Sequence, residues 1–265
     1  MSESIIEARD VSVTFGSGVH KVEAVKNVSL TLAPGEPLGI VGESGSGKST
    51  LARVLAGLQP PTSGQVFFNG KPVYKGNKSY IGEARRQVQM VFQDPYASLN
   101  PQMTALSAVA EAVRIHNKCD KKEAETKALE LLKRMGIAQL DAFKKPRQLS
   151  GGQRQRVSVA RALSANPSVL LADEPTSAID QSAQAQLLNL FHGLLTQGLA
   201  IVLVSHDLGV IRYLTQRVYV MKDGVFVESG DTETIFNNPY EEYTKELLAS
   251  IPGALGAAAR KKRTA

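Results

Sequence analysis

The chain has 265 residues, 43% of them hydrophobic and 21% charged, an ordinary globular balance sized for one or two domains. It carries a net charge of +6 and a single cysteine, Cys119, so neither an intramolecular disulfide nor an all-cysteine metal cluster is available. No apolar run approaches the ~18–20 residues needed to span a bilayer, and the opening "MSESIIEARD" has early acids and no apolar block, unlike a secretory signal.

In chain order, "VKNVSLTL" alternates Val28, Leu30 and Leu32 with polar partners and reads as a half-buried strand. "APGE" turns the chain, and "PLGIVG" reads as a short buried strand. Leu51, Val54, Leu55 and Leu58 then fall at i, i+3, i+4 and i+7, one face of a helix. "GQVFFNG" and "RRQVQMVFQD" supply further strands. From about residue 96 to 150 the texture is helical, as a helical insertion would be. In it, Asp120 is placed to cap a helix that Gly136 ends. Strand patterns return in "SVLLAD" and "LAIVLVSHD", with the amphipathic "DQSAQAQLLNLFHGLLTQG" between them. "RVYVMKDGVFVESG" is two alternating runs joined through Asp223-Gly224, a hairpin signature. Alternating strands and helices predict an α/β core around a mainly parallel sheet. The basic end, "ARKKRTA", reads first as a solvated terminus and only second as a contact for nucleic acid or anionic lipid.

Between the "PLGIV" strand and the helix after it lies "GESGSGKST", residues Gly42, Glu43, Ser44, Gly45, Ser46, Gly47, Lys48, Ser49 and Thr50. Glycines let successive backbone N–H groups converge on one point, and the helix N-terminus adds partial positive charge. Lys48 supplies a full charge for β/γ-phosphates and Ser49 a hydroxyl for Mg²⁺. The strand–loop–helix context is what makes this phosphate-binding motif credible, but kinases, GTPases, helicases and transport motors all share it.

Other strand ends carry the remaining polar groups. Asp173 and Glu174 close "SVLLADEP", where ligands gather in open α/β sheets. The aspartate suits Mg²⁺, and the glutamate suits activation of an attacking water. His206 follows "LAIVLVS", placed either to contact a γ-phosphate or to serve the fold. Gln93 follows "VQMVF" and is open to either a Mg²⁺ or a structural role. In "LSGGQ", Ser150 and Gln153 have capping-box spacing, so Ser150, Gly151 and Gly152 open a second helix N-terminus that reads as a plain cap or as a second anion site.

"GESGSGKST", Gln93, "LSGGQ", "VLLADEP", "SAID" and His206, in this order, resemble the nucleotide-binding subunit of an ABC transporter over about residues 5–250. The resemblance implies a P-loop ABC ATPase fold: a mainly parallel central sheet, an antiparallel β-subdomain and an inserted helical subdomain at about 96–150, followed by a basic tail at 251–265. It implies ATP and Mg²⁺ as cofactors. Phe15 matches the aromatic that stacks on adenine, although tyrosine is commoner there. Gly42 to Thr50 match the Walker A loop. Ser49, Gln93 and Asp173 match the Mg²⁺ ligands, Glu174 the catalytic glutamate and His206 the switch histidine. Asp180 matches the D-loop aspartate, with Ile179 in place of the usual leucine. Ser150 to Gln153 match the signature segment that closes over the ATP of a second, head-to-tail subunit.

"MVFQDPYASLNPQMT" and "NNPYEEYTKELLASIP" further resemble the peptide/nickel importer ATPases of bacteria. That implies a peripheral protein at the cytoplasmic face of the membrane. Its partners would be a homologous ATPase subunit or a second copy, two transmembrane permeases and, indirectly, an extracytoplasmic solute-binding protein. A soluble ABC-type ATPase of an enzyme complex, such as a phosphonate-degrading one, is the competing expectation. A nucleic-acid partner is not expected, because neither coiled coils nor tandem ATPase domains are present.

Overall fold

The computed structural model describes residues 4–75, 84–177 and 179–250; the basic tail falls outside them. In chain order, β1 (Ile6–Phe15), β2 (Val22–Leu32) and β3 (Pro37–Val41) precede α1 (Lys48–Leu55). β4 (Ser63–Phe68), β5 (Lys71–Pro72), α2 (Ala84–Gln87) and β6 (Val88–Val91) follow. Five helices come next: α3 (Pro95–Ser98), α4 (Ala105–Asn117), α5 (Lys121–Arg134), α6 (Gln139–Ala142) and α7 (Gly151–Leu163). β7 (Val169–Asp173), α8 (Gln181–Thr196), β8 (Ala200–Ser205) and α9 (Leu208–Leu214) return to the α/β pattern. The last elements are β9 (Arg217–Lys222), β10 (Val225–Asp231), α10 (Thr232–Asn237) and α11 (Glu242–Ala249).

The strands form two sheets, ordered β2-β1-β4-β5 and β10-β9-β3-β8-β7-β6. The first is antiparallel. The second is parallel from β9 to β6, and β10 closes it as the antiparallel arm of a hairpin. That hairpin turns at Asp223 and Gly224, both with positive φ, as the dipeptide predicts. This is the α/β class, with a mainly parallel sheet beside an antiparallel one.

Every residue of β3, β7 and β8 is buried, which is why these strands read as continuous apolar runs. Helix α1 touches β1 and β2 on one side and β7 and β8 on the other, so it lies between the sheets. Leu51, Val54 and Leu55 are buried there. Leu58 departs from the predicted helical face: α1 ends at Leu55 and Leu58 is exposed. Gly57 takes a left-handed conformation, its N–H reaches the Val54 carbonyl, and the Leu58 N–H reaches back to Arg53. That double closure stops the helix before its next turn. Gly136 ends α5 by the same pair of bonds, to Lys133 and Leu132.

Asp120 caps α5 by accepting from the Glu123 N–H, while the Glu123 carboxylate turns outward to Lys127. The helices between β6 and β7 share a continuous apolar cluster with one face of the parallel sheet, in which Val109 and Leu132 belong with Leu170 and Leu203. No helix among the described residues is long and apolar enough to cross a membrane.

Candidate functional site

The parallel order β3-β8-β7-β6 sets four carboxyl ends side by side. Gly42 follows β3, His206 follows β8, Glu174 follows β7 and Gln93 lies just after β6. Strand pairing holds them in step, with Val41 opposite Ser205 and Asp173 opposite Val204. They converge on one cavity of about 530 Å³. Its lining includes Gly42, Glu43, Ser44, Gly45, Gly47, Lys48, Ser49 and Thr50 from the loop, with Gln93, Glu174 and His206 from the neighbouring strands.

The loop takes its shape for two separable reasons. Gly42 and Gly47 have φ of 151° and 105°, and a Cβ on either would lie 2.1 Å from a backbone carbonyl, Met221 O and Ala24 O respectively. No other residue fits that approach. The start of α1 at Lys48 has no side-chain cap, and Gly47, Lys48, Ser49 and Thr50 of its first turn line the cavity.

Lys48 is 5% exposed. Its Nζ donates to Gly42 O at 2.7 Å, Glu43 O at 2.6 Å and Ser46 Oγ at 3.4 Å. Burial lowers its pKa from the ordinary lysine value, and the nearby carboxylates of Glu174, Asp173 and Glu43 work against that shift. The ammonium therefore sits inside a ring of neutral acceptors with two strand-end acids beyond it.

Asp173 is buried at the end of β7 and accepts from Ser49 Oγ at 2.8 Å. Burial raises its pKa, while the Ser49 hydroxyl and the charge of Arg53 pull it back. A hydroxyl and a carboxylate within hydrogen-bond distance are the hard oxygen donors that Mg²⁺ takes. Among the described residues no three His, Cys, Asp or Glu side chains cluster tightly enough to hold an ion alone. An ion here would need further oxygen ligands from outside these side chains.

Glu174 is buried and has φ of 47°, an uncommon left-handed conformation for a side chain of its size. Its own N–H is fixed to Val204 O at 2.8 Å. The turn sends its carboxylate across to β8, where Oε1 accepts from the His206 N–H at 3.1 Å and Oε2 lies 2.6 Å from His206 Nδ1. The two strand-end residues thus meet as one acid–imidazole pair, with the histidine's side chain open to solvent.

The remaining predicted residues lie elsewhere. Phe15, at the end of β1, is 45% exposed and does not line the cavity. Asp180 caps α8 by accepting from the Ala183 N–H at 2.9 Å. Ser150 and Gln153 form both arms of a capping box at the start of α7, and the Gln153 amide also donates to Asp141 at 2.7 Å. Gly151 and Gly152 open that helix, and Gly152 packs so closely on α8 that a Cβ would lie 2.5 Å from Ala183 Cβ. None of Ser150, Gly151, Gly152 and Gln153 lines the Lys48 cavity.

Sequence patterns did not point to Leu247 and Ser250, at the C-terminal end of α11, which also line the cavity. Nor did they point to Tyr243, whose hydroxyl accepts from the Glu43 N–H at 3.1 Å. Their helical spacing, Tyr243 to Leu247, was the available signal, but it reads equally as a buried face.

A glycine loop around a buried lysine, a hydroxyl–carboxylate pair and an acid at neighbouring strand ends define a P-loop ATPase of the cassette type. The ABC transporter family model matches residues 25–177, and the chain belongs to that family. It is 40% identical to the oligopeptide transport ATP-binding protein OppF of Streptococcus pyogenes, over 95% of this chain and 83% of that protein. It is 43% identical to AppF of Bacillus subtilis, also an oligopeptide transport ATP-binding protein, over 94% of this chain and 79% of that protein. Among solved structures, the dimeric post-hydrolysis state of the ATP-binding cassette MJ0796 bound to ADP and Pi is similar, with a TM-score of 0.76 and 34% identity, covering 86% of this chain and 98% of that one.

Proposed function

We propose that this chain is the ATP-driven motor subunit of a bacterial importer whose cargo is an oligopeptide or a chemically related small solute. The observation that carries the reading is the meeting of Lys48, Ser49 and the Glu174–His206 pair in one cavity, with Asp173 held behind Ser49 by its hydroxyl. The printed names of the relatives, oligopeptide transport ATP-binding proteins, support the cargo class. Nothing in the site favours the enzyme-complex alternative.

In this reading the loop amides of Gly42 to Thr50 cradle the phosphates. Lys48 gives up its carbonyl partners and turns to the β/γ-phosphates. Ser49 and Asp173, with Gln93, would hold Mg²⁺, which would supply charge neutralisation for the phosphates. Glu174 takes the proton of the attacking water, and His206, already bonded to it, holds it in place and faces the γ-phosphate. Phe15, exposed at the end of β1, offers a ring face to adenine.

A second subunit, homologous or identical, completes the assembly head to tail. It presents its own equivalent of Ser150, Gly151, Gly152 and Gln153 to the ATP held here. Asp180, at the cap of α8, lies on the same face of the assembly. The similarity to a dimeric cassette supports this arrangement.

Two permeases hold the protein at the cytoplasmic face of the membrane, and a solute-binding protein acts through them. Their docking surface is the segment from Gln93 to Pro101 and the open groove beside it. That groove, about 500 Å³, is lined by Leu58, Phe92, Ile115 and His116 among others. Leu58 and Ile115 there are exposed apolar side chains. Replacing Cys119 and placing cysteines at Ala97 and Ser98 tests the docking: crosslinks to permease cytoplasmic loops are expected, and crosslinks only to a soluble enzyme subunit overturn it.

A further inference from the structure

The phosphate loop is held from outside as well as from within. Inside, Lys48 ties the carbonyls of Gly42 and Glu43. Outside, the turn of the β9–β10 hairpin donates Gly224 N–H to Ser46 O at 3.0 Å. The second outer tie is Tyr243 on α11, whose hydroxyl accepts from the Glu43 N–H. The two ties are joined to each other, because the Lys222 ammonium, at the end of β9, sits 4.5 Å from the centre of the Tyr243 ring.

Helix α11 is itself anchored. The N–H groups of Tyr240 and Glu241, just before it, donate to the two carboxylate oxygens of Glu228 on β10. From that anchor the helix runs past the loop and ends with Leu247 and Ser250 in the cavity wall. Glu43 is thus gripped on both sides of its peptide, by Lys48 at the carbonyl and by Tyr243 at the N–H.

We propose that Tyr243 is a positioning residue for the nucleotide site: with the Gly224 turn it forms an outer clamp that fixes the Gly42–Ser46 segment in its phosphate-ready curve. Nucleotide binding then releases the Lys48 contacts without loosening the loop, because the outer ties remain. The clamp rests on the assignment of this loop to phosphate.

Three full-length proteins test it: the natural chain, Tyr243→Phe and Lys48→Ala. The phenylalanine keeps the ring and its contact with Lys222 and removes only the acceptor. Equilibrium binding of a fluorescent ATP analogue should weaken about fivefold in Tyr243→Phe, the weight of one ordinary hydrogen bond. Amide hydrogen exchange at Glu43, without nucleotide, should quicken by a similar factor, while exchange in β3 and β8 stays put and melting falls by no more than the roughly 2–4 °C that one hydrogen bond is worth in a chain of this size. A merely structural tyrosine would shift melting and global exchange together and leave Glu43 unremarkable. Unchanged affinity and unchanged Glu43 exchange in Tyr243→Phe, beside a Lys48→Ala that does lose ATP, overturn the clamp alone. A Lys48→Ala that keeps full affinity overturns the phosphate assignment, and the clamp falls with it.

Discussion

The loop around Lys48 and the helix start at Ser150 are both glycine-rich helix N-termini, yet they are finished in opposite ways. Lys48 is buried, and its ammonium is already satisfied by two carbonyls and a hydroxyl of its own loop. Around it the chain supplies a cavity, an acid pair and a wall. The α7 start is satisfied too, by Ser150 and Gln153, but its residues do not line the Lys48 cavity. Ser150 stays exposed, and the acids of β7 are not beside it. One terminus faces a cavity within this chain; the other, in the proposed assembly, acts on the nucleotide of a partner brought against it.

The sharpest way to break that contrast is Glu174→Gln. If hydrolysis belongs to the Lys48 half alone, the amide keeps the shape of the site and removes the proton acceptor. ATP hydrolysis by the assembled protein should fall roughly 10²–10⁴-fold, the usual weight of a general base. ATP binding should survive, and ATP-bound dimers should accumulate on a sizing column. A variant that turns over at near the natural rate would move the base elsewhere.

Lys48→Ala comes next. It removes the one buried full positive charge of the loop, and the affinity for ATP should drop about tenfold or more, read by equilibrium binding. The same variant relieves the burial of the ammonium, so the protein without nucleotide should melt no lower than the natural one. Loss of stability in step with loss of binding would mean that the lysine is mainly a structural tie.

Gly152→Ala probes the other terminus. The new methyl would meet Ala183 Cβ at 2.5 Å, and α7 and α8 must move apart. Overpacking of this kind costs about 1–3 kcal/mol. Melting should fall and dimer-dependent hydrolysis should be lost, while a folded fraction still binds ATP through Lys48. Loss of binding by that fraction would show that the two termini are not independent.

Asp173→Asn sharpens the account of the first site. Burial raises the Asp173 pKa, so its charge costs stability. The folded chain holds the proton more tightly than the unfolded one. The cost is therefore absent below the ordinary aspartate range and grows as pH rises through that range to the raised value. At neutral pH the asparagine variant should melt at or above the natural protein, and Mg²⁺-dependent hydrolysis should be lost. A lower melting point would mean that the Ser49 bond outweighs desolvation.

Much of this contrast was legible in the residues. Continuous apolar runs in β3, β7 and β8 announced buried parallel strands, the first followed by the glycine loop and the other two by polar strand-end residues. Asp120, Ser150 and Gly136 announced helix ends, because capping is local chemistry within three or four residues. Leu58 misled because helical periodicity ignores the stop at Gly57, which only the backbone conformation reveals. The Glu174–His206 pair joins residues 32 apart in sequence, and its geometry follows from the left-handed turn at Glu174. The Tyr243–Glu43 bond spans 200 residues. Such contacts are set by strand order and packing, which no local pattern encodes.

The smallest expected effect is the most diagnostic for the α7 start. Ser150→Ala removes the side chain that accepts from the Gln153 N–H at 3.2 Å, one arm of the capping box. The other arm, from Ser150 N–H to Gln153 Oε1, uses only backbone at Ser150 and can persist. Loss of an N-cap hydroxyl costs about 1 kcal/mol, which in a chain of this size lowers melting by roughly 2–4 °C. Because Ser150 lies outside the Lys48 cavity, ATP affinity of the isolated chain should be unchanged. If the hydroxyl removed here is offered to the partner's nucleotide, as proposed, hydrolysis by the assembled dimer should fall further than a loss of stability explains. If hydrolysis falls only in proportion to the folded fraction, Ser150 is a helix cap and nothing more, and the donor surface of α7 reduces to its glycines.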